Sequence, residues 1–146
     1  MNENSSLWVL GHKIRPIDVS GNYDMVIGET PPNVPGPPPH FHGGYNELFM
    51  VLEGEMDFLV NGEVKKLKQG DSIDFPPNVV HTFSNAGKSK CKWINIHSPK
   101  GFLSFFKEMG VSDQDPEAIK NSVSENIVNK VMRTAKNYDM HITLEK

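Results

Sequence analysis

Between Leu7 and Ile96 the chain never runs far without a turn residue, and this punctuation limits what it can fold into. Candidate extended segments at 7–10, 13–19, 23–27, 47–52, 56–60, 63–67, 72–75, 80–84 and 92–97 are separated by glycine, proline, asparagine and aspartate. Each is too short for a core helix, and 23–27 alternates aromatic or aliphatic residues with others, which is the period of a strand. Asn61-Gly62 lies between two of the segments, and this dipeptide is the strongest short hairpin signal because both residues tolerate positive φ. Residues 30–39 carry Pro31, Pro32, Pro35, Pro37, Pro38 and Pro39. Proline lacks the N–H that a sheet ladder needs, so this stretch is an extended connector rather than a paired central strand. Many short strands at near-regular spacing predict an all-β sandwich or barrel.

The character changes after residue 97. Ser98-Pro99 reads as an N-cap followed by proline at the first helical position, Phe102, Phe105, Phe106 and Met109 fall on one helical face, and Gly110 is placed to stop the helix. A second helix is predicted after Asp115-Pro116, from Ile119, Val123, Ile127 and Val131 at steps of four, joined by Val128, Met132 and Ala135. Both stripes are read as packing faces against the barrel or a partner subunit. A last short strand is expected over 141–144. The chain is thus divided into a barrel with its N-terminal strands and a closing helix over 1–110, and a helical extension over 111–146.

The 146 residues suit one domain able to bury about 70% of its unfolded surface, with 8 Phe and 7 Met as bulky core material. A net charge of −3 gives no electrostatic footprint for nucleic acid. No helix-turn-helix pattern precedes residue 20. No apolar run is long enough to span a bilayer, and no charged-then-apolar signal segment opens the chain. The single Cys91 cannot form an internal disulfide and sits in no nucleophile motif, which fits a reducing interior. The expected location is cytoplasmic. Sheet edges and an apolar helical tail lead us to expect a homodimer.

Two blocks carry the chemistry. The first runs from Pro37 through His40, His42, Gly43, Gly44 and Glu47 to Gly54, and the second from Gly70 through Pro76, Pro77, Asn78 and His81 to Asn85. Side chains on a strand repeat every two residues, so His40 and His42 point to one side. Glu47 has the opposite parity to His42, and Gly43-Gly44 permits a bulge or loop that re-aims the chain before the next strand. His81, arriving from a second strand, would complete a nitrogen-and-oxygen ligand set for one divalent transition metal (Fe, Mn, Ni, Co, Cu or Zn). His12, His97 and His141 are read as structural or surface residues, with His97 ending a strand that could point inward. By parity, Phe49 and Val51 share the side of Glu47, and Phe83 shares the face of His81. These three are therefore expected pocket walls, suited to an apolar or aromatic ligand.

These residues resemble the cupin family. Its first motif is met by His40, His42, Glu47 and Gly54, and its second by Gly70, Pro76, His81 and Asn85. Asn78 stands where the family usually has glycine, and asparagine tolerates the left-handed conformation that position needs. Gly36 lies closer to His40 than the family's usual glycine does. The motif core covers residues 36–98, and the aromatic segment 101–110 is similar to the tail of single-domain cupins of the quercetin dioxygenase kind. The resemblance implies a jelly-roll barrel with a short C-terminal helical segment and a metal held by His40, His42, Glu47 and His81. It also implies a second job for Glu47, as a catalytic base taking a proton from a bound substrate.

The resulting expectation is a metal-dependent enzyme acting on a small organic molecule, foremost a dioxygenase. A non-redox isomerase or decarboxylase using the same metal is the alternative chemistry, and a small-molecule-binding module without turnover is the alternative class. The fold hosts all three.

Overall fold

The computed structural model describes residues 5–143. Within them the chain forms β1 (Leu7–Val9), β2 (His12–Ile17), β3 (Asp24–Thr30), β4 (Val34–Pro35), β5 (His40–Phe41), β6 (Asn46–Glu53), β7 (Glu55–Val60), β8 (Glu63–Lys68), β9 (Ser72–Phe75), β10 (His81–Asn85) and β11 (Cys91–Ser98). Helix α1 (Leu103–Met109), β12 (Val111–Ser112), α2 (Ala118–Ser122), α3 (Glu125–Thr134), a short 3-10 turn (Ala135–Tyr138) and β13 (His141–Ile142) follow. Among the described residues the strands make two antiparallel sheets, one ordered β12-β1-β2-β3-β11-β6-β9 and the other β13-β5-β10-β7-β8 with β4 beside β10. This is an all-β jelly roll followed by a helical segment.

The alternation that predicted strands also places their side chains. In β11, Cys91, Trp93, Asn95 and His97 point into the space between the sheets while their neighbours point out. Trp93 pairs with Gly28 of β3, where an added Cβ would lie 2.3 Å from the indole ring. Only glycine leaves room for it there. Phe49, Phe58, Phe83 and Trp93 form a buried aromatic cluster, with Phe49 centred 5.0, 5.2 and 5.3 Å from the other three. Tilted contacts of this kind add about 0.5–1.5 kcal/mol each beyond area burial. The Asn61-Gly62 turn joins β7 to β8 with both residues at positive φ, as the dipeptide predicted. In the proline-rich stretch, Thr30 ends β3 opposite Cys91, a turn with Asn33 at positive φ follows, and Val34 and Pro35 pair with β10.

The helical segment departs from its sequence expectation in two ways. Helix α1 starts at Leu103, not after Ser98, because β11 runs on to Ser98. The buried carboxylate of Asp24 accepts hydrogen bonds from the backbone N–H of Gly101 (2.7 Å) and of Leu103 (3.2 Å), so the cap comes from β3. Gly110 does end this helix. The expected second helix is two helices, broken at Ser124, whose hydroxyl accepts from the N–H of Ile127 and caps α3. The apolar stripe is also divided by burial: Val131 and Ala135 are buried, while Val128 and Met132 in the same helix as Val131, and Ile119 and Val123 before the break, are exposed.

Residues beyond 110 also enter both sheets. Val111–Ser112 pairs with β1, and His141–Ile142 pairs with β5. Of the rest of the strand expected over 141–144, Thr143 is not part of a strand and Leu144 lies outside the described residues. No helix among those described is long and apolar enough to cross a membrane.

Candidate metal centre

Strand β5 is only two residues long, yet it is held on both sides, with His40 opposite His81 of β10 and opposite Ile142 of β13. His40 and His42 face inward. Phe41 between them faces out and stacks on His141 at 5.0 Å and 22°. The Gly43-Gly44 loop then restores the inward face for Glu47 in β6, where Glu47, Phe49 and Val51 are all buried. Asn78 adopts φ of 73°, the left-handed value expected of it, and its N–H donates to the carbonyl of His42 at 2.8 Å. That turn delivers His81 as the first residue of β10.

Each of the three imidazoles gives its Nδ1 to a main-chain carbonyl: His40 to Pro38 (2.9 Å), His42 to Asp139 (2.7 Å) and His81 to Val79 (3.0 Å). A carbonyl only accepts, so each Nδ1 carries the proton and each Nε2 is turned toward the centre. There the donor atoms of His40, His42, Glu47 and His81 all lie within 4.8 Å of one another, and all four residues are buried. Glu47 Oε1 sits 2.8 Å from His81 Nε2 and 3.2 Å from His42 Nε2. The Nε2 of His42 has no aligned hydrogen-bond partner despite complete burial. A buried nitrogen lone pair without a donor is costly, and a divalent cation is the partner that this donor set fits.

The electrostatics agree. Burial, followed by the neighbouring His81, pushes the His40 pKa down to about 3, so this imidazole stays neutral and available as a ligand. For Glu47, burial works against ionisation, but the surrounding His97 and His81 outweigh it and hold the carboxyl well below its ordinary range. Burial also opposes a charge on His81, and there the adjacent Glu47 carboxylate prevails and raises the pKa. A carboxylate set among imidazoles is the charge pattern of a cation site.

Two further side chains reach Glu47. Asn95 donates to Oε2 at 2.9 Å, and His97 Nε2 lies 3.4 Å from the same oxygen. Both come from β11, and both were missed as site residues because Ile94 and Ile96 give the opposite face an equally apolar look. The stronger signal was parity with Trp93. His97 is buried, stacked on Phe102 at 4.3 Å, and its Nε2 also lacks a hydrogen-bond partner.

Three of the four candidate ligands, His40, His42 and Glu47, border a narrow cavity of about 50 Å³, room for a few water-sized groups. Phe49 and Phe83 are among the residues that line it; Val51 is buried and does not line it. Phe102, Phe105 and Phe106 of the closing segment form part of the wall, so the stripe read as packing also shapes the site. His12 also lines the cavity.

Comparisons with known proteins point the same way. The profile of the family described as Cupin domain matches residues 26–97. Quercetin 2,3-dioxygenase of Bacillus subtilis (strain 168) is 31% identical over 71 residues, 49% of this chain and 21% of that protein. The HTH-type transcriptional regulator PuuR of Escherichia coli (strain K12) is 36% identical over 56 residues, 38% of this chain and 30% of that one. The chain thus spans less than half the length of the curated relatives it matches. Among solved structures, an RmlC-like cupin from Shewanella frigidimarina superposes with a TM-score of 0.58 at 25% identity, over 68% of this chain and 87% of that chain.

Proposed function

The chain belongs to the cupin superfamily, and on that premise we propose that it is a metal-dependent dioxygenase acting on a small enol-containing or aromatic molecule. The observation that carries this reading is the convergence of three inward Nε2 atoms and one Glu47 oxygen, all buried, beside a mostly apolar cavity. A bound Fe, Mn, Ni, Co or Cu ion with these donors would supply a Lewis acid with adjacent open positions for a substrate oxygen and O₂. His40, His42 and His81 would hold that ion with tautomers fixed by Pro38, Asp139 and Val79.

Asn95 fixes the second oxygen of Glu47, which leaves the first directed at the centre. A carboxylate so held is better suited to ligation than to taking a proton, and a base role for Glu47 toward a bound substrate is the second part of the proposal. Phe49, Phe83 and the phenylalanines of the closing segment exclude water from the reacting groups. The small cavity limits the substrate to one that enters edge-on or moves Phe102 and Phe106 aside.

The likeness to a transcriptional regulator supports a second reading, a ligand-binding module without turnover. O₂ uptake with a panel of small diketones and enediols separates the two. The dioxygenase reading expects uptake that His81→Ala abolishes. Tightly held zinc with no uptake would replace it with an isomerase or decarboxylase, and metal with no chemistry on any carbonyl substrate would favour the binding module.

A further inference from the structure

The C-terminal segment approaches the candidate centre more closely than any packing role requires. The carbonyl of Asp139 accepts the Nδ1–H of His42 at 2.7 Å, across 97 residues of sequence. The carboxylate of the same residue accepts the N–H of Gly43 at 2.9 Å through one oxygen and that of Gly44 at 2.7 Å through the other. One residue thus holds both the imidazole of His42 and the loop that turns the chain from His42 to Glu47.

The local conformation is built for this grip. Asp139 sits in the left-handed region at φ 59°, which turns the chain out of the 3-10 turn and places its carbonyl and carboxylate on the same side. Aspartate is among the few residues that accept this backbone readily. On the other side of the contact, a Cβ on Gly43 or Gly44 would stand 3.3 or 3.2 Å from the carboxylate oxygens, so a side chain at either position would crowd the two short bonds. His141 closes the arrangement, with Nε2 2.9 Å from an Asp139 oxygen and its ring stacked on Phe41, while Ile142 pairs with His40.

We infer that Asp139 is a positioning residue for the metal centre, fixing the tautomer and aim of His42 and the path of the loop leading to Glu47. The inference rests on the proposed metal site, and it lies outside the region 26–97 that the family profile covers. The C-terminal segment is then part of the site, and metal binding and docking of residues 139–142 support one another. Outer partners of metal-ligating histidines typically contribute ten- to a hundredfold in affinity.

The test uses the full chain and Co(II) as probe, with affinity read by titration and ligand geometry by the visible spectrum of the bound ion. Asp139→Ala, which loses the clamp and disfavours the left-handed backbone, should weaken Co(II) binding about ten- to a hundredfold and alter the spectrum. Asp139→Asn keeps the backbone preference and one acceptor, and should recover most of the affinity. Nitrogen NMR of the His42 ring, read without metal, should show the Nδ1–H tautomer in wild type and a mixture in Asp139→Ala. If Asp139→Ala binds Co(II) like wild type with an unchanged spectrum and tautomer, the positioning role is overturned while the metal site stands. If wild type itself binds no Co(II), the metal reading falls and this inference falls with it.

Discussion

Two clusters of buried polar side chains share one cavity, and they are finished differently. Toward β2 and β3, the Trp93 indole N–H donates to the Thr30 hydroxyl (2.9 Å), that hydroxyl reaches His12 Nδ1 (2.9 Å), and His12 Nε2 reaches the carbonyl of Pro35 (3.1 Å). Every group in that chain has its partner. Toward β5, β6 and β10, the Nδ1 atoms of His40, His42 and His81 are satisfied by carbonyls and their Nε2 atoms gather with Glu47, where that of His81 is hydrogen-bonded to Oε1 (2.8 Å) and that of His42 has no aligned partner. Desolvation costs are similar at the two ends, so the difference lies in what completes them. A closed network needs nothing further and specifies the packing of the core. An open one, with unpartnered Nε2 atoms on His42 and His97, needs a ligand from outside.

The comparison can be broken from its closed end. Burial pushes the His12 pKa down to about 4 against the opposing hydrogen bond to Pro35, while an unfolded histidine titrates near 6.5. The unfolded chain therefore takes up a proton first as the pH falls. The contribution of neutral His12 is whole above pH 6.5 and is lost as the pH falls through 4, which amounts to about 3 kcal/mol. Urea unfolding from pH 7 to pH 4 should show that loss on top of the one expected of buried His40, and His12→Gln should remove the His12 part. An unchanged slope in the variant would mean that His12 is not held neutral by its surroundings.

A smaller effect sharpens the contrast. Thr30→Val orphans the indole N–H of Trp93 and the Nδ1 of His12, and should destabilise the fold by about 1–3 kcal/mol without touching metal affinity. Asn95→Leu at the open end should do the reverse. Freed from its hydrogen bond, Glu47 Oε2 can swing, and metal affinity should fall about tenfold. Paired denaturation and metal titrations check both, and an exchange of the two phenotypes would dissolve the distinction between the clusters.

Strand periodicity and turn chemistry made the sheets legible, because Asn61-Gly62, the proline run and the two motif turns act through local backbone preferences that a sequence displays. The inward pair His40 and His42, the need for Gly43-Gly44 before Glu47, and the left-handed Asn78 were readable for the same reason. What escaped depends on long-range contact. Asp24 caps a helix from β3 and Asp139 reaches back to His42, and neither has a neighbour in sequence to announce it; Ser124 is the exception, a local cap bonded to Ile127 that lies inside an apolar stripe. His97 and Asn95 were hidden by a strand with apolar residues on both faces, where alternation alone gives no direction.

The central claim, that His40, His42, Glu47 and His81 hold one divalent transition metal, is tested most directly by elemental analysis of the full chain purified without a chelating tag. The account predicts close to one transition-metal ion per chain in wild type and almost none in His81→Ala or Glu47→Gln. A wild-type protein that carries no metal and acquires none from Fe(II), Mn(II), Ni(II), Co(II), Cu(II) or Zn(II) would contradict it.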